Sequence, residues 1–106
     1  MLFDKDLVLP IVVMGDLNAN SGEKEINTLL AELPNGSILK DSTSDELGGT
    51  YNKWGGSCGE RRIDYVLSSG WRANLKTAAR HPEKAPSNEV EWPSDHCGYS
   101  VELIAQ

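Results

Sequence analysis

The feature that most restricts how these 106 residues can fold is a change of hydrophobic period within the first third of the chain. Residues 7–15, LVLPIVVMG, form a short apolar run rich in β-branched side chains and closed by Gly15. Such a run reads as a strand covered on both faces, with Pro10 suited to its first residue or to a sheet edge. In the following SGEKEINTLLAELPNG, Ile26, Leu29, Leu30 and Leu33 fall at i, i+3, i+4 and i+7, a one-sided helical stripe. Asn20 or Ser21 suits the helix cap, Glu23 and Glu25 its first turn, and Pro34-Asn35-Gly36 its stop. The chain therefore opens with a strand, a loop and a helix. Its apolar runs fall well short of the roughly 18 residues that a membrane-spanning helix needs.

Further along, GSILKDS reads as a short strand, residues 41–49 as a polar loop and GTYNKW as the start of another strand. WGGSCGER, with its glycines, reads as a turn or hairpin tip. RRIDYVLSSG alternates, so Ile63, Tyr65 and Leu67 point one way while Asp64 and Val66 point the other. WRANLKTAARH fits a strand or a short helix equally well. Residues 82–94 form a proline-punctuated loop, and CGYSVELIAQ closes the chain as a strand. A chain of this length builds one small domain around one core.

The net charge of -6 argues against a protein that grips DNA through a broad basic face. It is compatible with a carboxylate-lined pocket whose sign reverses when a divalent cation binds. Cys58 and Cys97 are too few and too irregularly placed for a zinc site or a disulfide framework, and read as free thiols in preference to a bonded pair. Nothing resembles a signal peptide, so the chain is expected to be soluble, with its compartment open.

Three short motifs carry candidate chemistry. In GDLNAN, Asp16 and Asn18 follow the apolar strand two residues apart, and continued extended geometry would project both side chains to one side; a turn closed by Asx hydrogen bonds explains the same residues. In RRIDYVL, Asp64 sits mid-strand among apolar neighbours. It either faces water on an outer sheet face or is buried, and a buried carboxylate requires a partner. In WPSDHCGYSVEL, Asp95 and His96 are adjacent, so in an extended segment they point apart and His96 is free to meet Asp64. A carboxylate bonded to one imidazole nitrogen would orient the ring and favour its charged form.

Occurring in this order, from LPIVVMGDLN through GGTYNKW and RRIDYVL to PSDHCGYSVEL, the motifs resemble the carboxyl-terminal half of the DNase I-like endonuclease/exonuclease/phosphatase superfamily. The resemblance implies an α/β (α+β) fold: half of a four-layer sandwich, with one mixed β-sheet and one main helix. It implies that Asp16 orients or deprotonates an attacking water, that Asn18 contacts the scissile phosphate, and that Asp64 orients His96, which stabilises the transition state. Asp95 would be a magnesium (or manganese) ligand, and Thr50 either shapes the pocket or is structural. Leu17 replaces the more usual aromatic residue, a change of packing more than of chemistry. Arg61 and Arg62 read as solvated arms in preference to cations that steer substrate. Trp54, Trp71, Trp92 and His81 show no pattern tied to chemistry.

The same resemblance implies residues this chain does not contain, among them a metal-binding glutamate from an amino-terminal half. One aspartate alone is a poor magnesium cage. The strand IVVMG should also present an apolar face lacking its partner layer, an expectation of self-association as a homodimer or of a separate amino-terminal half. The expected activity is divalent-metal-dependent hydrolysis of a phosphoester, in nucleic acid, a lipid headgroup or a sugar phosphate, by a module that is weak or inactive alone. The alternatives are a non-catalytic half-domain serving assembly, and a plain cation-binding surface.

Overall fold

The computed structural model describes residues 9–51, 58–59, 61–81 and 94–105. The expectations for residues 7–8, for GTYNKW beyond Tyr51, for most of WGGSCGER, for the loop at 82–93 and for Trp54 and Trp92 lie outside the described residues.

The apolar run forms β1, Ile11–Asp16, and the helical stripe forms α1, Lys24–Leu29. Next come β2, Lys40–Asp41, and a 3₁₀ turn at Asp45–Leu47. The alternating RIDY segment forms β3, Asp64–Ser69, followed by β4, Trp71–His81, and β5, Gly98–Ala105. The chain is thus α+β, as the sequence implies. Its described strands fall, however, into two antiparallel sheets and not one mixed sheet: β1, β3 and β2 in that order, and β4 beside β5. Gly70, at φ +80°, bends the chain from β3 into β4, and a Cβ there would stand 3.0 Å from Pro10 Cα.

Alternation along the first sheet decides what lies inside. Tyr65 and Leu67 face α1 and join Ile26, Ala19 and Leu39 in the core, with Ile11, Val13 and Leu17 packed against it. Leu67 is wholly buried and Ile26 nearly so, each worth about 1.5–3 kcal/mol of transfer free energy. β1 is not covered on both faces as its composition suggests: Val12 is 41 % exposed and Met14 67 %. These two share the outer face with Asp64 and Val66, where Met14, Val66, Gly98 and Tyr99 line an open depression of about 180 Å³.

The helix is shorter than its stripe. It ends at Leu30, whose N–H donates to Ile26 O (3.0 Å) while Ala31 N–H donates to Thr28 O (3.3 Å), before Pro34 is reached. Asn20 does not cap it from the expected position. Glu23 is the N-cap residue, and its Oε1 accepts from the Asn20 backbone N–H (2.9 Å) and from Asn20 Nδ2 (2.7 Å). These bonds, the backbone one first, hold the Glu23 carboxyl below its usual range.

The pattern of β4 is hard to read because its ladder is interrupted. Between Asn74 and Ala79 the register with β5 shifts. There Thr77 Oγ1 donates to Asn74 O (2.7 Å) and accepts from Glu102 N–H (2.9 Å), replacing the lost strand pairing. Among the described residues no helix is long and apolar enough to cross a membrane.

Candidate active site

Register builds the site. β1 and β3 run antiparallel with Asp16 directly opposite Asp64. Like charges at that position repel, and the His96 imidazole lies beside both. Its Nδ1–H donates to Asp64 Oδ2 at 2.7 Å, while Nε2 stands 3.8 Å from Asp16 Oδ2 and 3.9 Å from Asp95 Oδ1. A carboxylate only accepts, so this contact fixes the proton on Nδ1 and turns Nε2 toward the other two acids. The bond to Asp64 raises the His96 pKa, burial opposes it, and the nearby carboxylates add to the rise.

Asp64 is therefore neither water-facing nor orphaned; its side chain is 20 % exposed and engaged by the ring. Asp16 is more open, at 49 %. Extended geometry does not continue beyond it: Asn18 adopts a left-handed backbone, φ 52°, and its N–H donates to Asp16 Oδ1 at 2.8 Å. The Asx turn that competes with the functional reading is thus present, and it leaves Asp16 Oδ2 directed at His96. Asn18 stays exposed beside Asp16, and Leu17 packs inward as its type suggests. Asp95 and His96, expected to point apart, lie near one another without a hydrogen-bonding distance.

Several residues hold this arrangement that sequence reasoning did not single out for the purpose. Thr50 is fully buried, and its Oγ1 accepts from the backbone N–H of Ile63 (3.0 Å) and of Asp64 (3.2 Å). Its carbonyl accepts from Cys97 N–H at 2.6 Å, so one residue ties the backbones beside both members of the dyad. Tyr65 Oη donates to Ala19 O at 2.7 Å, fastening the Asp16–Asn20 loop over β3. Burial pushes its phenol up to about 12, keeping that donor intact. The placement of Tyr65 after Asp64, pointing to the opposite face, was the available signal.

Arg61 and Arg62, adjacent in sequence, have opposite surroundings. Arg61 is exposed, as expected, above the Tyr51 ring (5.7 Å), which meets His96 edge-on at 5.5 Å. Arg62 is no solvated arm. It is 3 % exposed, ion-paired with Asp41 and with Asp45 (2.9 Å), and stacked between Tyr65 and Tyr99. It holds the 3₁₀ turn to β3. Nor are the cysteines free: Cys58 and Cys97 are joined in a disulfide, Cα to Cα 6.2 Å. A separation of 39 residues gives no sequence clue to that pairing.

The metal expectation meets a deficit. Among the described residues no group of three or more His, Cys, Asp or Glu side chains could hold a metal ion. Asp95 has neighbours of suitable chemistry, but Asp64 is committed to His96. These residues do not fit a metal cage by themselves.

The described rim thus carries two opposed acids and a histidine bonded to one of them. The chain belongs to the Endonuclease/Exonuclease/phosphatase family, whose model matches residues 2–96. That is a family of phosphoester hydrolases of the DNase I-like kind. No curated protein and no solved structure matches the chain significantly.

Proposed function

We propose that this chain is a phosphoester hydrolase module in which Asp16 orients or deprotonates the attacking water and Asn18 contacts the phosphate. His96, oriented by Asp64, stabilises charge developing on the phosphoryl oxygens. The single observation that supports this reading most is the bridging of Asp64 and Asp16 by one imidazole, at 2.7 Å and 3.8 Å. Phosphoryl transfer depends on in-line positioning and on electrostatic stabilisation of the equatorial oxygens, and a cationic ring held from behind by a carboxylate provides the second. The substrate class is a phosphodiester or phosphomonoester, with nucleic acid, lipid headgroups and sugar phosphates all consistent with the exposed rim.

In this reading hydrolysis depends on magnesium or manganese, with Asp95 as one ligand and the remaining donors supplied by a separate amino-terminal half or a second copy. The open Val12–Met14 face fits a second layer, from a second copy of the chain or a separate amino-terminal half, and light scattering at micromolar concentration tests it: a monodisperse monomer counts against it. The hydrolase reading is tested by following release from a generic phosphodiester with and without magnesium, for the parent and for His96→Ala. Activity in the parent that the substitution removes supports it; equal rates in both sink it. The second reading, a non-catalytic half-domain used in assembly, is favoured by the short donor set and predicts no turnover in either protein.

A further inference from the structure

The covalent feature nearest the dyad is the Cys58–Cys97 disulfide, and no step described so far uses it. Cys97 follows His96 directly, and both cysteines are fully buried. The segment Gly49–Tyr51 lies between the two stretches that carry them. On one side Gly49 N–H donates to Gly59 O (2.8 Å) and Thr50 N–H to Arg61 O (3.0 Å). On the other, Cys97 N–H donates to Thr50 O, and Tyr51 forms an isolated bridge with His96. A Cβ on Gly49 would run into the carbonyl oxygens of Cys58 and Gly59, so the layers are in backbone contact.

His96 lies outside the named strands. Its backbone is held by the Tyr51 bridge, by its own N–H to Ser94 Oγ (3.0 Å) and by the bond of the next residue to Thr50. The disulfide spans this patch and fixes the residue next to the imidazole to the stretch that leads into Asp64.

We propose that Cys58–Cys97 is a positioning cross-link, which holds the His96 peptide in the register at which its Nδ1 meets Asp64. Its effect on turnover rests on the hydrolase reading; its effect on ring geometry does not. Misplacing a catalytic group by about 1 Å costs on the order of a hundredfold in rate, and a cross-link closing a long loop removes freedom that weak bridges leave. A dithiol undoes the cross-link by giving two electrons and two protons to the S–S bond. It yields the two cysteine thiols and the reagent's own cyclic disulfide.

The test uses the full chain labelled with nitrogen-15. The Asp64-bonded imidazole N–H resonance, the backbone amide spectrum and phosphodiester hydrolysis are followed before reduction with dithiothreitol, after it, and after reoxidation. Thiol titration confirms each state, and a Cys58→Ser/Cys97→Ser variant serves as a permanent reduced form. The expected result is loss or a marked upfield shift of the imidazole signal on reduction, with β3 amides unmoved. The expected kcat falls at least about tenfold with KM little changed, and reoxidation restores both. The proposal is overturned by two free thiols in the purified chain, or by an imidazole signal unchanged when both thiols are titratable. General loss of amide dispersion on reduction also overturns it, since the bond then staples the whole fold. If the parent shows no turnover, that favours the non-catalytic half-domain reading, and the imidazole signal still decides the cross-link.

Discussion

The two histidines of this chain sit in regions that differ in everything except their hydrogen-bond lengths. At the rim of the first sheet, His96 Nδ1 meets a carboxylate at 2.7 Å, with two further acids within 3.9 Å of Nε2. On the β4–β5 ribbon, exposed His81 shares a 2.8 Å hydrogen bond with the Ser100 hydroxyl. Distance alone therefore does not mark a site. What separates the regions is register, which sets Asp16 against Asp64 at the rim, and support from a core, which the ribbon lacks where Leu75 stands 66 % exposed.

Exchange at the two rings should break this comparison most sharply. His96→Ala is expected to lower phosphodiester hydrolysis by at least about a hundredfold, and His81→Ala to leave it unchanged, measured as initial rates side by side. Next in size is a stability contrast. Leu67→Ala, at a fully buried position, should cost about 3 kcal/mol, and Leu75→Ala less than about 0.5 kcal/mol, read from urea midpoints.

A smaller effect attaches to Thr50. Replacement by Val keeps its shape but leaves the Ile63 and Asp64 amides without their acceptor, a loss of about 1–3 kcal/mol that Thr50→Ser should largely recover. The smallest is a pH effect. The His96 pKa lies above its ordinary 6.5 in the folded chain, chiefly through the bond to Asp64. Its contribution to stability is thus complete below pH 6.5 and lost as pH rises through the folded value. Midpoints measured across that window should show a decline that His96→Gln flattens.

The strand character of β1, β3 and β5, the helical stripe and the meeting of His96 with Asp64 were legible because each rests on a short-range rule: period, alternation, or the cost of an unpaired carboxylate. What escaped the sequence depends on distant neighbours. Arg62 is a surface arm by type, and only the approach of Asp41, Asp45 and two tyrosine rings makes its burial tolerable. The disulfide, the double anchoring by Thr50 and the split into two sheets all arise from contacts across tens of residues. The helix ends early, yet Leu30 and Leu33 still pack against the core from beyond it.

One consequence of the β1–β3 pairing concerns error. Parity along a strand means that any one-residue slip turns every side chain over. With Ile11 and Val13 facing the helix, Asp16 must emerge on the outer face opposite Asp64. Misalignment would bury Val12 and Met14, expel the inward pair and scatter the acids at once. Proofreading of the dyad is thus delegated to the oiliness of its neighbours: a molecule that has sorted its grease correctly has, by the same act, aligned its charges.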